Sequence, residues 1–309
     1  MRIDEIIARG GGPVFSFEFF PPKTEEGERN LFAALDALRG LEPAFVSVTW
    51  GAGGSTREKT IGIVTRIRET HGLEAMAHFT TVGATTEELH AALRQMEAAG
   101  IDNVLALRGD PPQGEETFTP IEGGFSYATE LTRLVSENYD FCVVGACYPE
   151  VHQEAPDRET DLAHLKEKVH AGAKILITQL FYDNAAYFRF LGEARAAGID
   201  VPIVPGIMPV TNVDQIKRIT KMCGAKFPDD FVAALEERRD EPEAVVELGV
   251  AYATLQCAEL LAHGAPGIHF YTLNRSPATR AILSALKLQK PWEKRPEAQD
   301  ADPVGAPAA

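Results

Sequence analysis

The sequence predicts an α/β fold, a parallel (β/α)8 barrel with extra helices before the last strand. Two patterns carry this expectation: eight short apolar runs recur at regular spacing, and segments of helical period lie between them. The runs are nearly continuous in apolar residues, as parallel strands covered on both faces require. Eight such units in about 275 residues suit a barrel, whereas a doubly wound sheet usually needs fewer strands and a glycine fingerprint after the first.

In chain order the strand candidates are VFSFEFF (14–20), AFVSVTW (44–50), LEAMAHFT (73–80), NVLALRG (103–109), FCVVGACYP (141–149), KILITQLF (174–181), PIVPGI (202–207) and GIHFYTL (267–273). Helical spacing is clearest over 25–40, 85–100 and 161–173, and several of these segments close on glycine, the usual left-handed helix stop. Three stretches break the rhythm. Residues 111–124 form a Pro/Gly/Glu-rich loop, long enough to suggest a lid. Residues 223–266 hold extra helical material, including one long packed helix from about residue 241. The tail 291–309 is rich in Pro, Ala and Asp without periodicity and is expected to be disordered, leaving residues 1–290 as a single barrel domain.

Charge and composition narrow the function. A net charge of −15 argues against a nucleic-acid-binding surface, which needs clustered Lys and Arg. The four cysteines show neither CxxC pairs nor metal-ligand spacing with histidine, so reduced packing cysteines and no metal are expected. No stretch reaches the roughly 18 apolar residues of a membrane helix, and the opening MRIDEIIARGGG lacks the pattern of a secretory signal. The expected address is the cytoplasm. HExxH, GxSxG and Walker patterns are absent, which sets aside zinc peptidases, serine hydrolases and P-loop NTPases.

Barrel active sites lie at the C-terminal ends of the strands. There the sequence places Glu18, Thr49, Trp50, His78, Arg108, Gly109, Asp110, Tyr148, Gln179, Tyr271, Asn274 and Arg275. Glu18 alternates with Phe17 and Phe19, so it faces the barrel mouth with Ser16. A carboxyl in a half-apolar setting is pushed toward its neutral form, which would suit it to donate a proton; pairing with a nearby cation is the alternative. LRGD (107–110) reads either as a close-approach turn for a flat or phosphorylated ligand or as a salt-bridged turn. GAGGST (51–56), with Ser55 or Thr56 as cap, reads either as a phosphate nest or as a plain left-handed turn. Asp161, His164 and Lys168 share one helix face by their spacing and could reach a ligand or simply form a solvated network. His78 could equally be a core histidine, and His152 a surface one.

Read together, FSFEFFPPKT, FVSVTWGAGGS, AHFTT, ALRGDPP, YPEVHQEA, ITQLFYD, PGIMPVTN and HFYTLNRS resemble, in order and position, the strand ends of methylenetetrahydrofolate reductases. The resemblance covers about residues 12–290. It implies a barrel that reduces 5,10-methylenetetrahydrofolate to 5-methyltetrahydrofolate, with hydride from NADH or NADPH passing through non-covalently bound FAD, and feeds methionine synthesis. Glu18 then matches the general acid that assists opening of the folate ring, and Asp110 the aspartate near flavin and pterin. Gln179 and Arg275 match substrate-contacting positions, as do Glu18 and Asp110. Thr49, Trp50, Ala52, His78, Arg108, Gly109, Asp110, Tyr127, Ala128, Tyr148, His152, Ala155, Asp161, His164 and Lys168 fall at or beside flavin-contacting positions. Arg108 and Lys168 would offset the diphosphate charge. The chain departs from common family residues at Trp50, His164, Glu167 and Ile219. A homo-oligomer is expected, as is the absence of the regulatory domain that animal relatives carry. A flavin-free reductase and a non-catalytic barrel subunit are the competing readings.

Overall fold

The computed structural model describes residues 1–50, 57–111 and 118–293. Strands β1 (Val14–Phe19), β2 (Phe45–Val48), β3 (Ala75–Thr80), β4 (Asn103–Leu107), β5 (Cys142–Cys147) and β6 (Ile175–Thr178) follow one another in parallel. Two short pieces, β7 (Ile203–Val204) and β8 (Gly206–Ile207), flank Pro205, and β9 (Gly267–Tyr271) pairs back onto β1. The α/β barrel predicted from the sequence is therefore present, with its seventh strand split in two.

The split has a local cause. Proline has no N–H to give to a neighbouring strand. β7 pairs with β6 and β8 pairs with β9, while the Pro205 carbonyl accepts from His269 N at 2.9 Å. On the β6 side, side chains take over: Gly206 N donates to Thr178 Oγ1 at 2.9 Å, and the Tyr271 hydroxyl donates to the Thr178 carbonyl at 2.6 Å. The gap in the backbone ladder is closed by Thr178 and Tyr271.

Helices α1 (Ile3–Ala8), α2 (Glu25–Arg39), α3 (Arg57–His71), α4 (Thr86–Ala98), α5 (Ala128–Asn138), α6 (Arg158–His170), α7 (Asn184–Ala196), α8 (Val213–Cys223), α9 (Asp229–Glu236), α10 (Pro242–Ala262) and α11 (Pro277–Gln289) complete the described architecture. Their starts follow capping chemistry. Thr24 accepts from Gly27 N, Thr85 and Glu88 form a reciprocal capping box, and Asp157 and Asn212 each accept from the N–H three residues on. α8 stops at Gly224, which adopts φ +72°.

The core has two parts. Outward residues such as Phe17, Phe19, Val46, Val48, Ala77 and Phe79 pack under the helices. Inside the barrel, Phe45, Met76, Leu105, Val144, Ile175, Ile177 and Val204 form a separate apolar layer, closed from below by Ile3 of α1. Above that layer the interior turns polar, and this is where the site begins.

α9 and α10 are the extra helical material expected between residues 223 and 266. α10 also corrects one expectation, because its 21 residues are long and apolar enough to cross a bilayer by length and composition. One face of it serves packing: Val245, Ala253, Cys257, Leu260 and Leu261 are buried, and Gly249 lies against the Val210 carbonyl with no space for a side chain, while Leu255 is exposed. Pro291–Glu293 form a short 3-10 turn in which Trp292 packs on Phe15, with ring centres 5.8 Å apart. Residues 294–309, most of the expected tail, lie outside the described residues.

Candidate active site

Strand alternation sends Phe15, Phe17 and Phe19 outward and Ser16 and Glu18 inward. Parallel pairing sets Glu18 beside Ser47 of β2 and Tyr271 of β9. Two imidazoles converge on its carboxylate. His269 Nε2 is hydrogen-bonded to Glu18 Oε2 at 3.3 Å, and His269 Nδ1 lies 2.8 Å from Ser16 Oγ. His78 Nε2 approaches the same oxygen at 3.2 Å, but off hydrogen-bond alignment, so that contact is one of charge and proximity.

Burial alone would raise the Glu18 pKa. The charge of His78 and the hydrogen bond from His269 outweigh it and hold the carboxyl at about 2. The sequence left open a raised carboxyl or one paired with a nearby cation; the lowered value goes against the first, and the partners are imidazoles, not Arg or Lys. The residues that alternate with Glu18 are apolar, but they point away, and what faces it is two histidines. Protons in such a cluster belong to the group as a whole.

The rim of the mouth is built from strand ends and the loops that follow. Thr272 Oγ1 donates to the Glu18 carbonyl at 2.5 Å, and Asn274 bonds both the N–H and the carbonyl of Phe20, fixing the exit of β1 against that of β9. Leu273 and Asn274 both take positive φ, +51° and +57°, to turn the chain there. Arg275 beyond them is exposed, and Gln179 is half-buried with its Oε1 accepting from Leu180 N. Thr49 N donates to the Phe19 carbonyl, and Trp50 is buried edge-on to Phe79 with no hydrogen-bond partner for its Nε1 among the described residues.

A second group gathers across β4, β5 and α6. Gly109 takes φ +91°, and a Cβ there would lie 2.7 Å from Val82 Cγ1, so only glycine fits. The Arg108 guanidinium forms a two-pronged pair with Glu154, at 2.5 and 2.7 Å, which holds its pKa above the ordinary value. Asp110 next to it is exposed. The Tyr148 ring meets His152 edge-on at 4.6 Å, and His152 N donates to the Asp161 carboxylate. Burial pushes the His152 pKa down and the Asp161 pKa up.

Lys168 is the most telling member. Its Nζ donates to the Ala146 carbonyl at 2.7 Å, and it has no ion-pair partner among the described residues. Burial lowers its pKa. A half-buried ammonium whose hydrogen bond goes to a neutral carbonyl is suited to receive a ligand anion. Ala128 begins α5, Tyr127 before it is exposed, Ala155 closes the 149–155 turn by donating to the His152 carbonyl, and His164 is exposed on α6.

The structure thus gathers Tyr148, His152 and Asp161 in direct contact near Lys168, places Arg108 beside them, and sets Glu18 and His78 together at the barrel axis. Gln179 and Arg275 stand on the rim with no hydrogen bond or ion pair to the Glu18 carboxylate, whose partners are the two histidines. Ala52, the GAGGST stretch and residues 112–117 of the long loop lie outside the described residues. Sequence reasoning passed over His269, Ser16 as its partner, and Glu154. His269 was within reach: it precedes the chosen Tyr271 by two residues, so strand alternation puts both on the inward face. Glu154 carried no such signal, since its partner is 46 residues away.

Comparison with known proteins agrees with this geometry. The family model for methylenetetrahydrofolate reductase matches residues 2–287. The chain belongs to that family. A 5,10-methylenetetrahydrofolate reductase of Escherichia coli (strain K12) is 41% identical over 271 residues, covering 88% of this chain and 90% of the relative. Methylenetetrahydrofolate reductase (NADH) 1 of Arabidopsis thaliana is 42% identical over 299 residues, covering 93% of this chain and 50% of the relative. The chain spans about half the length of such plant relatives and about nine tenths of the bacterial one. Among solved structures, a Clostridium thermocellum protein described as binding two copies of 5-methyl-5,6,7,8-tetrahydrofolic acid shares the fold, with a TM-score of 0.59, 17% identity, and coverage of 93% of this chain and 98% of that one.

Proposed function

We propose that this chain reduces 5,10-methylenetetrahydrofolate to 5-methyltetrahydrofolate, with NADH or NADPH as hydride donor and non-covalently held FAD as carrier. The observation that carries the reading is the half-buried Glu18 carboxylate held by the buried His78 and His269 at the mouth of a barrel of this family. When bound, FAD would supply the two-electron carrier that lets nicotinamide and folate react in turn. Arg108 and Lys168 are the cations suited to its diphosphate.

The remaining work falls to the chain's own side chains. Opening the folate ring needs a proton, and the carboxylate–imidazole cluster can hold one at Glu18 Oε2. A pterin laid over the mouth removes water from Glu18 and shifts the cluster toward its protonated carboxyl. The exposed Asp110 carboxylate favours the cation that ring opening creates. Gln179, whose oxygen is committed to Leu180 N, has its amide N–H groups to offer a ligand, and the Arg275 guanidinium suits a carboxylate of the substrate. In this reading the barrel of residues 1–290 works in the cytoplasm as a homo-oligomer.

The test is an anaerobic visible spectrum of the purified protein, followed by NADH and then methylenetetrahydrofolate. The expected result is a flavin spectrum that bleaches with NADH and returns with folate. A colourless protein that binds no added FAD would overturn the flavin part of the proposal.

A further inference from the structure

Arg108 is held in a manner the proposed chemistry does not require. Its two terminal nitrogens meet the two carboxylate oxygens of Glu154, the fork-to-fork geometry in which guanidinium also grips phosphate. The guanidinium face lies over Phe118, 4.8 Å from the ring centre, so ring and carboxylate together fix its plane. The partners differ in exposure: the Arg108 side chain is 21% exposed and that of Glu154 58%. The cation is anchored, and the anion can leave into water.

The segment carrying Glu154 is anchored apart from this pair. Glu150 accepts from Lys226 N at 2.9 Å, Gln153 Nε2 donates to the Met222 carbonyl at 2.8 Å, and Val151 takes φ +74°, a costly conformation for a β-branched residue. Release of the Glu154 side chain therefore needs no movement of the backbone around it.

We propose that Glu154 is a built-in competitor for the Arg108 fork, which an incoming diphosphate-bearing ligand displaces on binding. The inference rests on the flavin reading above for the identity of that ligand. A carboxylate and a phosphate cannot share the same two N–H donors, so affinity for the ligand is set by the difference between two pairings. Glu154 tempers cofactor affinity and keeps the guanidinium from binding stray anions.

The experiment compares wild type, Glu154→Gln, Arg108→Ala and the double variant, with Glu159→Gln as a control for the loss of one exposed negative charge on the same side. FAD affinity and association rate are read by flavin fluorescence, and reaction of Arg108 with phenylglyoxal in flavin-stripped protein is read by peptide mass mapping. Glu154→Gln should bind FAD roughly 2- to 10-fold more tightly, with faster association, as expected for release of a partly exposed ion pair. Arg108 should be labelled several-fold faster in that variant, Glu159→Gln should match wild type, and the gain should vanish in the Arg108→Ala background. Unchanged or weaker FAD binding by Glu154→Gln, or unchanged labelling, overturns the proposal while leaving the flavin reading intact. Wild type that binds no FAD overturns the flavin reading, and the diphosphate as displacing ligand with it.

Discussion

Glu18 meets two imidazoles at one oxygen, so its protonation is set by neighbours that strand alternation turns toward it. Replacing it tests the proposed role directly. Glu18→Gln should keep flavin binding and reduction by NADH and lose folate reduction by about 100-fold or more, measured as separate half-reactions in stopped flow; normal folate turnover would remove Glu18 from the chemistry. The lowered pKa also fixes a sign for stability. The contribution of this carboxylate is fully present above its ordinary value near 4.5 and is lost as pH falls toward about 2. Urea titrations of wild type and Glu18→Gln between pH 7 and 3 should show their difference shrinking below about pH 4.5, and a widening difference there would refute the assignment. The cysteines give a third check. Burial pushes Cys142 up to about 12 and raises Cys147 and Cys257 further, while Cys223 is only partly buried. A colorimetric thiol reagent at pH 8 should modify Cys223 first in the native protein and the other three only on unfolding. Much of this site was legible residue by residue, because strand ends and alternation identify Glu18, His78 and Arg108. The sign of the Glu18 shift was not, since it depends on His78 and His269 meeting at one carboxylate oxygen, which only the closed barrel brings about.

Elements were legible where the signal is local. Capping residues Thr24, Thr85, Asp157 and Asn212 stand at the starts of helices that apolar spacing already suggests, and the apolar runs gave the strands to within a few residues. The split of the seventh strand was not read, although Pro205 stands in plain sight within PIVPGI. A proline in a short run marks a lost donor, but not which side chain compensates. Here that is Thr178, from the preceding strand, with Tyr271 capping its carbonyl. This makes Gly206 a sensitive position: a Cβ there would run into the Thr178 carbonyl and lie 2.6 Å from the Tyr271 hydroxyl. Gly206→Ala should therefore cost about 1–3 kcal/mol of stability by overpacking, read from denaturant midpoints, whereas Gly192→Ala, on the open side of α7, should be neutral or slightly stabilising.

At the scale of the whole molecule the barrel interior is divided along its axis. The lower layer is apolar and sealed by Ile3, whose backbone N–H donates to Asn103 Oδ1 at 2.8 Å; the upper layer carries Ser16, Glu18, His78 and His269. Stability and chemistry should thus be separable by mutation, the bottom of the barrel serving the first and the top the second. Ile3 is fully buried in the interior layer, so truncation leaves a cavity that the rigid ring of strands cannot fill. Ile3→Ala should lower unfolding free energy by about 2–5 kcal/mol. Below the unfolding transition, the same variant should bind FAD with wild-type affinity, because the apolar layer stands between Ile3 and the mouth. Fluorescence titration with FAD at 15 °C, beside a urea melt of the same preparation, measures both quantities. A loss of flavin affinity in step with the loss of stability would mean that the two ends of the barrel are coupled, and that the apolar layer transmits strain instead of isolating the site from its base.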